Sequence, residues 1–132
     1  MIRDELIPLS YDPDQTIHLP DLRLRLRRGR TYVILTSKGT CIGFIHLIPI
    51  QTTLWIDMLA VDRRFQNRGL GRQLLALADK YALSKALTRI SLFVDAHNAG
   101  AIRFYERAHF QLGRYIAETR CYQMDKSMTD TT

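Results

Sequence analysis

Cysteine is scarce in this chain: Cys41 and Cys121 are the only two among 132 residues. One pair supplies no disulfide framework. Each cysteine lies in an apolar or strand-like run, so buried free thiols are expected rather than a bridge. A reducing, cytoplasmic setting fits such thiols. No apolar run approaches the length of a membrane span. The opening stretch, MIRDELIPLSYDPDQ, is acidic and contains proline, unlike a secretory leader. Histidine and cysteine nowhere take zinc spacing, so no metal is expected. Internal repeats and low-complexity segments are missing too, and only the tail KSMTDTT reads as frayed.

What is present suits one globular domain over residues 1–132. Hydrophobic residues at 46% and charged residues at 24% suffice for a single core. The formal net charge is +6, with arginine dominating the basic residues. That balance suggests an anionic partner: nucleic acid, a phosphorylated cofactor or an acidic surface.

TYVILTS (31–37) and TCIGFIHLIPI (40–50) are rich in β-branched and aromatic residues with KG between them, which reads as an antiparallel hairpin. TTLWIDMLAV (52–61) is a third strand, with Trp55, Asp57, Leu59 and Val61 on one face. After the loop DRRFQNR, Leu70, Leu74, Leu77 and Tyr81 recur at helical spacing over 69–86. RISLFVDA (89–96) is a fourth strand, Asn98 precedes a second helix, and FQLGRYIAE and TRCYQMDK close the chain as strands. Ahead of these, LPDLRLRLRRGR alternates leucine and arginine like a strand. Pro20, Gly29 and the shared face of Leu19, Leu22 and Leu26 favour a short helix there. The sum is a mixed sheet with helices packed on it.

QNRGLGRQLL (66–75) joins the third strand to the first long helix. The N–H groups of a helix's first turn lack intrahelical partners and carry the positive end of its dipole. Gly69 and Gly71 strip side chains from that turn, and Arg68 and Arg72 add charge, so a phosphate or pyrophosphate cradle is expected. A dinucleotide fingerprint would need a third glycine where Leu74 stands. A nucleoside-triphosphate loop would need lysine and serine or threonine where Arg72 and Gln73 stand. A plain turn glycine followed by a packing glycine is the other reading.

Q-N-R-G-L-G resembles the Q/R-x-x-G-x-G/A signature of the GNAT acetyltransferase superfamily. NAGAIRFYERAHF (98–110) resembles its second signature, N-x-x-A-x-x-F-Y-x-x-x-G-F. The resemblance spans about residues 31–125 in the family's order. It implies a GNAT-like mixed, mostly antiparallel sheet splayed between the strand ending at Val61 and the strand at 89–96, with helices on both faces. It implies acetyl-CoA as cosubstrate. The pyrophosphate would lie on the amides of Gln66, Asn67, Arg68, Gly69, Leu70, Gly71 and Arg72, and the pantetheine arm along the backbone of Leu59, Ala60 and Val61. The family's usual glycine is His109 here, a residue that tolerates a left-handed helix end at some cost.

Asn98, Ile102 and Tyr105 share one helical face. The resemblance implies that Tyr105 protonates the leaving thiolate and that Asn98, a good N-cap, also touches the ligand. Core aromatic and simple cap are the structural alternatives for this pair. Asp57, mid-strand among apolar residues, is the candidate base, against a structural ion pair with an arginine and against water in that role. The resulting expectation is direct transfer of an acetyl group to a primary amine, of a peptide, a protein or a small molecule. A backbone N–H near Leu59 or Ala60 would polarise the oxyanion.

Only thirty residues precede the strand at 31–37, fewer than the family usually carries. An open acceptor site, or one completed by a second subunit in a homodimer, is expected. A weakly active acetyl-CoA sensor with the same fold is the alternative of another class. Nucleic acid is a weaker candidate partner, because leucine rather than stacking aromatics separates the arginines of LRLRLRRGR.

Overall fold

The structure, a computed structural model, describes the backbone of residues 2–4 and, in full, residues 29–128. The short helix expected near residues 20–28 lies outside the described residues. Strand β1 (Ile2–Asp4) is followed by β2 (Arg30–Leu35), β3 (Cys41–Ile50) and β4 (Thr53–Val61). A single 3-10 turn (Arg63–Phe65) leads to helix α1 (Leu70–Ser84). Then come β5 (Arg89–Asp95), α2 (Ala99–Arg107), β6 (Gln111–Ile116) and β7 (Cys121–Ser127). No described helix is long and apolar enough to cross a membrane.

The chain forms two compact units. The first comprises Met1–Ile48 with Asp57–Leu77; the second comprises Pro49–Ile56 with Ala78–Thr132. Strand order in the first is β1-β2-β3-β4, and in the second β4-β5-β7-β6, with β4 belonging to both. The sheet is mixed and mostly antiparallel; among the described ladders only β4–β5 is parallel.

In the first unit the β2–β3 hairpin turns where expected. Gly39, at φ +85°, sends its N–H to the Thr36 carbonyl at 2.9 Å, a left-handed position that glycine takes without strain. Val33, Leu35 and Phe44 form a buried cluster onto which Cys41, Met58 and Ala60 pack. Alternation along β4 therefore turns Asp57, Leu59 and Val61 to the opposite face. Gly43 lets β4 come close: a Cβ there would stand 3.2 Å from the Ala60 carbonyl oxygen.

In the second unit Leu54, Ile90, Leu92, Val94 and Met124 are buried. The parallel ladder runs from Thr53↔Arg89 through Leu54↔Ile90 to Trp55↔Ser91, and residues 56–61 of β4 lie beyond it. β5 stays paired with β7 as far as Asp95↔Cys121. β7 runs through Ser127, with Lys126 paired to Asp79 at 3.0 Å, so ordered strand reaches into the stretch that reads as a frayed tail.

Two expectations need adjustment. The buried stripe of α1 is Leu74, Leu75, Ala78 and Ala82, while Leu70, Leu77 and Tyr81 are half-buried at its margin. The two alanines carry no bulk, so this side of the helix can approach the sheet closely. Cys41 and Cys121, expected to be buried, are half-buried. Each donates to a carbonyl two residues away, Gly43 at 3.3 Å and Thr119 at 3.4 Å.

Candidate active site

The first unit holds the end of β4, the loop behind it and the start of α1. The loop is built on Asp62. Its backbone N–H donates to the Ile42 carbonyl at 2.7 Å, which ties the end of β4 to β3. Its carboxylate caps the 3-10 turn, accepting from Arg64 N at 2.9 Å. The same carboxylate receives the Arg64 guanidinium, Nε at 3.2 Å and Nη2 at 3.1 Å. These Arg64 hydrogen bonds, side chain first, hold the Asp62 carboxyl below the ordinary carboxylate range. The Phe65 ring has the Arg68 guanidinium 5.3 Å from its centroid and that of Arg64 at 5.9 Å.

Gln66 places its side-chain amide on the Val61 carbonyl at 3.1 Å. Asn67 and Gly69 then take left-handed backbone, φ 62° and 81°. The first bond of α1 runs from Gln73 N–H to the Gly69 carbonyl at 3.0 Å. The N–H groups of Leu70, Gly71 and Arg72 lie ahead of that bond, with no carbonyl one turn back to receive them. A Cβ built on Gly69 meets nothing within 4 Å, so the approach to these donors is open. Arg68, Gly69 and Arg72 are exposed. Asp57, Leu59, Ala60 and Val61 are all half-buried in β4. The first unit thus gathers the amides of residues 66–72, the β4 backbone and Asp57.

The second unit holds Asn98 and Tyr105. Asn98 is the N-cap of α2, its Oδ1 accepting from Ala101 N at 3.1 Å. That leaves the Nδ2 donor of the amide uncommitted to the cap. At the other end of α2, His109 takes φ 76°. Its N–H donates to the Glu106 carbonyl and that of Phe110 to the Tyr105 carbonyl, both at 3.0 Å. This is a Schellman closure, with histidine where glycine is usual. Its apolar contact is Phe110 against Tyr105, edge to face at 5.7 Å between centroids. Phe104 adds a second edge contact to Tyr105 at 5.2 Å. The helix end therefore fixes the Tyr105 ring from two sides. Burial pushes the Tyr105 phenol up to about 12.

The profile of the acetyltransferase (GNAT) family matches residues 1–110. The chain belongs to that family. It is similar to mycothiol acetyltransferase of Saccharopolyspora erythraea, 30% identical over 109 residues, covering 76% of this chain and 36% of that protein. It is also similar to spermine/spermidine N(1)-acetyltransferase of Bacillus subtilis, 39% identical over 59 residues, covering 44% of this chain and 39% of that one. The chain thus spans little more than a third of the length of these relatives. A GNAT family acetyltransferase of Elizabethkingia anophelis, solved with acetyl-CoA bound, shares the fold: TM-score 0.79 at 19% identity, over 96% of this chain and 97% of that one.

Within the GNAT frame, Asp62, Arg64 and Phe65 are the loop-building residues that sequence reasoning passed over. An aspartate directly after a strand, two residues before an arginine, was the available signal. It names a cap, but the choice of Arg64 over Arg63 or Arg68 as its partner depends on side-chain geometry.

Proposed function

We propose that this chain is a single acetyltransferase domain that moves an acetyl group from acetyl-CoA to a primary amine. One observation carries the reading: the open first turn of α1, where the amides of residues 70–72 precede the first helical bond and nothing crowds Gly69. That cradle fits a diphosphate by dipole and by access. Arg68 and Arg72 supply charge beside it, whereas Arg64 is committed to Asp62.

In this reading the backbone of Leu59, Ala60 and Val61 receives the pantetheine arm. The Gln66 side chain already occupies the Val61 carbonyl, so the pairing falls mainly on Leu59 and Ala60. The amine nitrogen attacks the thioester carbonyl, the carbon–sulfur bond breaks, and the sulfur takes the Tyr105 proton. The proton lost by the amine goes to Asp57 or to water. A phenol near 12 stays protonated at neutral pH, but it is a weaker acid than an ordinary thiol of pKa ~8.5. Proton transfer is therefore efficient only if the thiolate is itself desolvated as it forms. The alternative from another class is a domain that holds acetyl-CoA and turns it over slowly. With two cysteines and no disulfide framework in the sequence, a reducing, cytoplasmic setting suits either reading.

The deciding experiment measures acetyl-CoA binding and CoA release with a panel of amines. Binding with amine-dependent release supports transfer, and binding without release supports the holding function. Failure to bind acetyl-CoA at all sinks both.

A further inference from the structure

On the second unit's sheet face, Trp55, Phe93, Gln123 and Asp125 lie around Ser91. Ser91 stands opposite Trp55 in the β4–β5 ladder and opposite Asp125 in the β5–β7 ladder. Two residues along β5, Phe93 stands opposite Gln123. Trp55 and Phe93 stack with centroids 5.1 Å apart and planes 19° from parallel. Gln123 Nε2 donates to Asp125 Oδ1 at 2.9 Å, and Ser91 Oγ donates to the same oxygen at 2.6 Å. The face thus joins an aromatic half to a carboxylate half.

The two halves differ from ordinary surface. Phe93 is 52% exposed although its inner face is stacked, while Ser91 beneath is 0% exposed. Asp125 Oδ1 is saturated by two neutral donors. Its Oδ2 lies beside Gly113, where a Cβ would stand 3.3 Å from that oxygen and 2.9 Å from the Gln123 carbonyl oxygen. The glycine lets the β6 backbone lie close to that oxygen, and Asp125 itself stays half-buried, open to solvent in part. Arg89 donates to Thr53 Oγ1 at 3.4 Å, and Lys126, on the other face, pairs with Asp79 at 3.0 Å. Among the described residues no cation pairs with Asp125.

A carboxylate of fixed orientation diagonal to an open aromatic face has the chemistry to recognise an alkylammonium group. The oxygen accepts a charge-assisted hydrogen bond, and the ring face attracts the same cation. Diagonal neighbours on one sheet face lie close enough for one ligand head to touch both. We infer that Phe93 and Asp125, backed by Trp55, Ser91 and Gln123, form a subsite for a second ammonium group on the amine acceptor. This rests on the transferase reading for the word acceptor, but the cation site itself does not. The favoured substrate is then a molecule with two amines, one reacting and one held here.

Trp55 is the only tryptophan in the chain, so its emission reports on the patch. Diaminobutane is titrated against sodium chloride of matched ionic strength. A saturable emission change specific to diaminobutane is expected, and it should be lost in Asp125→Asn, which keeps the oxygen that Ser91 and Gln123 use. Phe93→Leu, at an exposed position, should weaken the response about tenfold. In steady state Asp125→Asn should raise KM for diaminobutane about tenfold while leaving KM for butylamine and acetyl-CoA affinity within about twofold. A lysine-containing tripeptide presents the same alkylammonium; the tighter of the two responses assigns the source. No specific response in the wild-type chain, or an equal response in Asp125→Asn, overturns the subsite. A normal response in a chain that binds no acetyl-CoA leaves the subsite standing and removes the transferase reading instead.

Discussion

Asp62 and Arg64 are joined three times over: the carboxylate accepts from the Arg64 backbone N–H at 2.9 Å, from Nε at 3.2 Å and from Nη2 at 3.1 Å. The two residues form the hinge between strand β4 and the amide cradle, and Asp62 also reaches back to β3 through its own N–H. Asp62 therefore acts as a positioning residue for the loop.

Asp62→Ala removes cap and counter-ion together. Acetyl-CoA binding should weaken roughly tenfold through lost preorganisation, with kcat at saturation little changed. Asp62→Asn keeps an oxygen for the Arg64 N–H and should recover most of the affinity. The carboxyl is held below its ordinary value, so its contribution is full at neutral pH and fades as pH falls through the lowered folded-state value. Calorimetric titration of the three proteins reads the effect; equal affinities would remove Asp62 from the loop's construction.

Gly69 at φ 81° separates backbone strain from access. Valine there should cost about 1–2 kcal/mol of stability, because a β-branched residue resists the left-handed region. Asparagine tolerates that region, so Gly69→Asn should melt within a few degrees of wild type. Its side chain nevertheless fills the open approach to the first-turn amides, and acetyl-CoA affinity should drop about tenfold. Thermal melts beside binding titrations distinguish the two variants. Unimpaired binding by Gly69→Asn would show that the anion enters elsewhere.

Tyr105→Phe preserves the edge contacts with Phe104 and Phe110 and removes only the proton. Turnover should fall about a hundredfold at unchanged acetyl-CoA affinity. Because the folded phenol titrates near 12 rather than 10.0, the native state keeps its proton longer than the unfolded chain. Stability is full below about pH 10 and is lost as pH rises toward 12, by about 2–3 kcal/mol in total. Tyr105→Phe should flatten that decline. A tyrosinate absorbance titration that shows Tyr105 ionising near 10 contradicts the burial argument.

Asn98→Ala deletes the cap on Ala101 N and should cost about 1 kcal/mol. Asn98→Ser restores a capping oxygen without the amide donor. If Asn98 also touches ligand, serine should rescue the melting temperature but not the affinity for acetyl-CoA; rescue of both restricts Asn98 to its structural role.

Much of this was legible in the residues. Alternation in β4 put Trp55, Asp57, Leu59 and Val61 on one face, and Asn98 announced its helix; the left-handed helix end was implied only by the family's usual glycine, and His109 adopts it nonetheless. Less legible was α1, whose spacing pointed to Leu70, Leu74, Leu77 and Tyr81: Leu74 is buried, but the rest of the buried stripe is Leu75, Ala78 and Ala82. Periodicity gives a helix its apolar side within a residue or so, but how closely the helix approaches the sheet selects the centre of the stripe.

By itself the sequence determined the order of elements from β2 to β7, the Asn98 cap of α2 and the bare first turn of α1, but not the strand at Ile2–Asp4. Each of these rests on interactions among residues within a few positions of one another, whose backbone preferences are intrinsic. Tertiary structure decided the partner of Asp62, the acidity of Tyr105 and the meeting of Ser91 with Asp125, thirty-four positions away along the chain. A side chain's solvation and charge environment are set by strand register and packing, and no local preference encodes those.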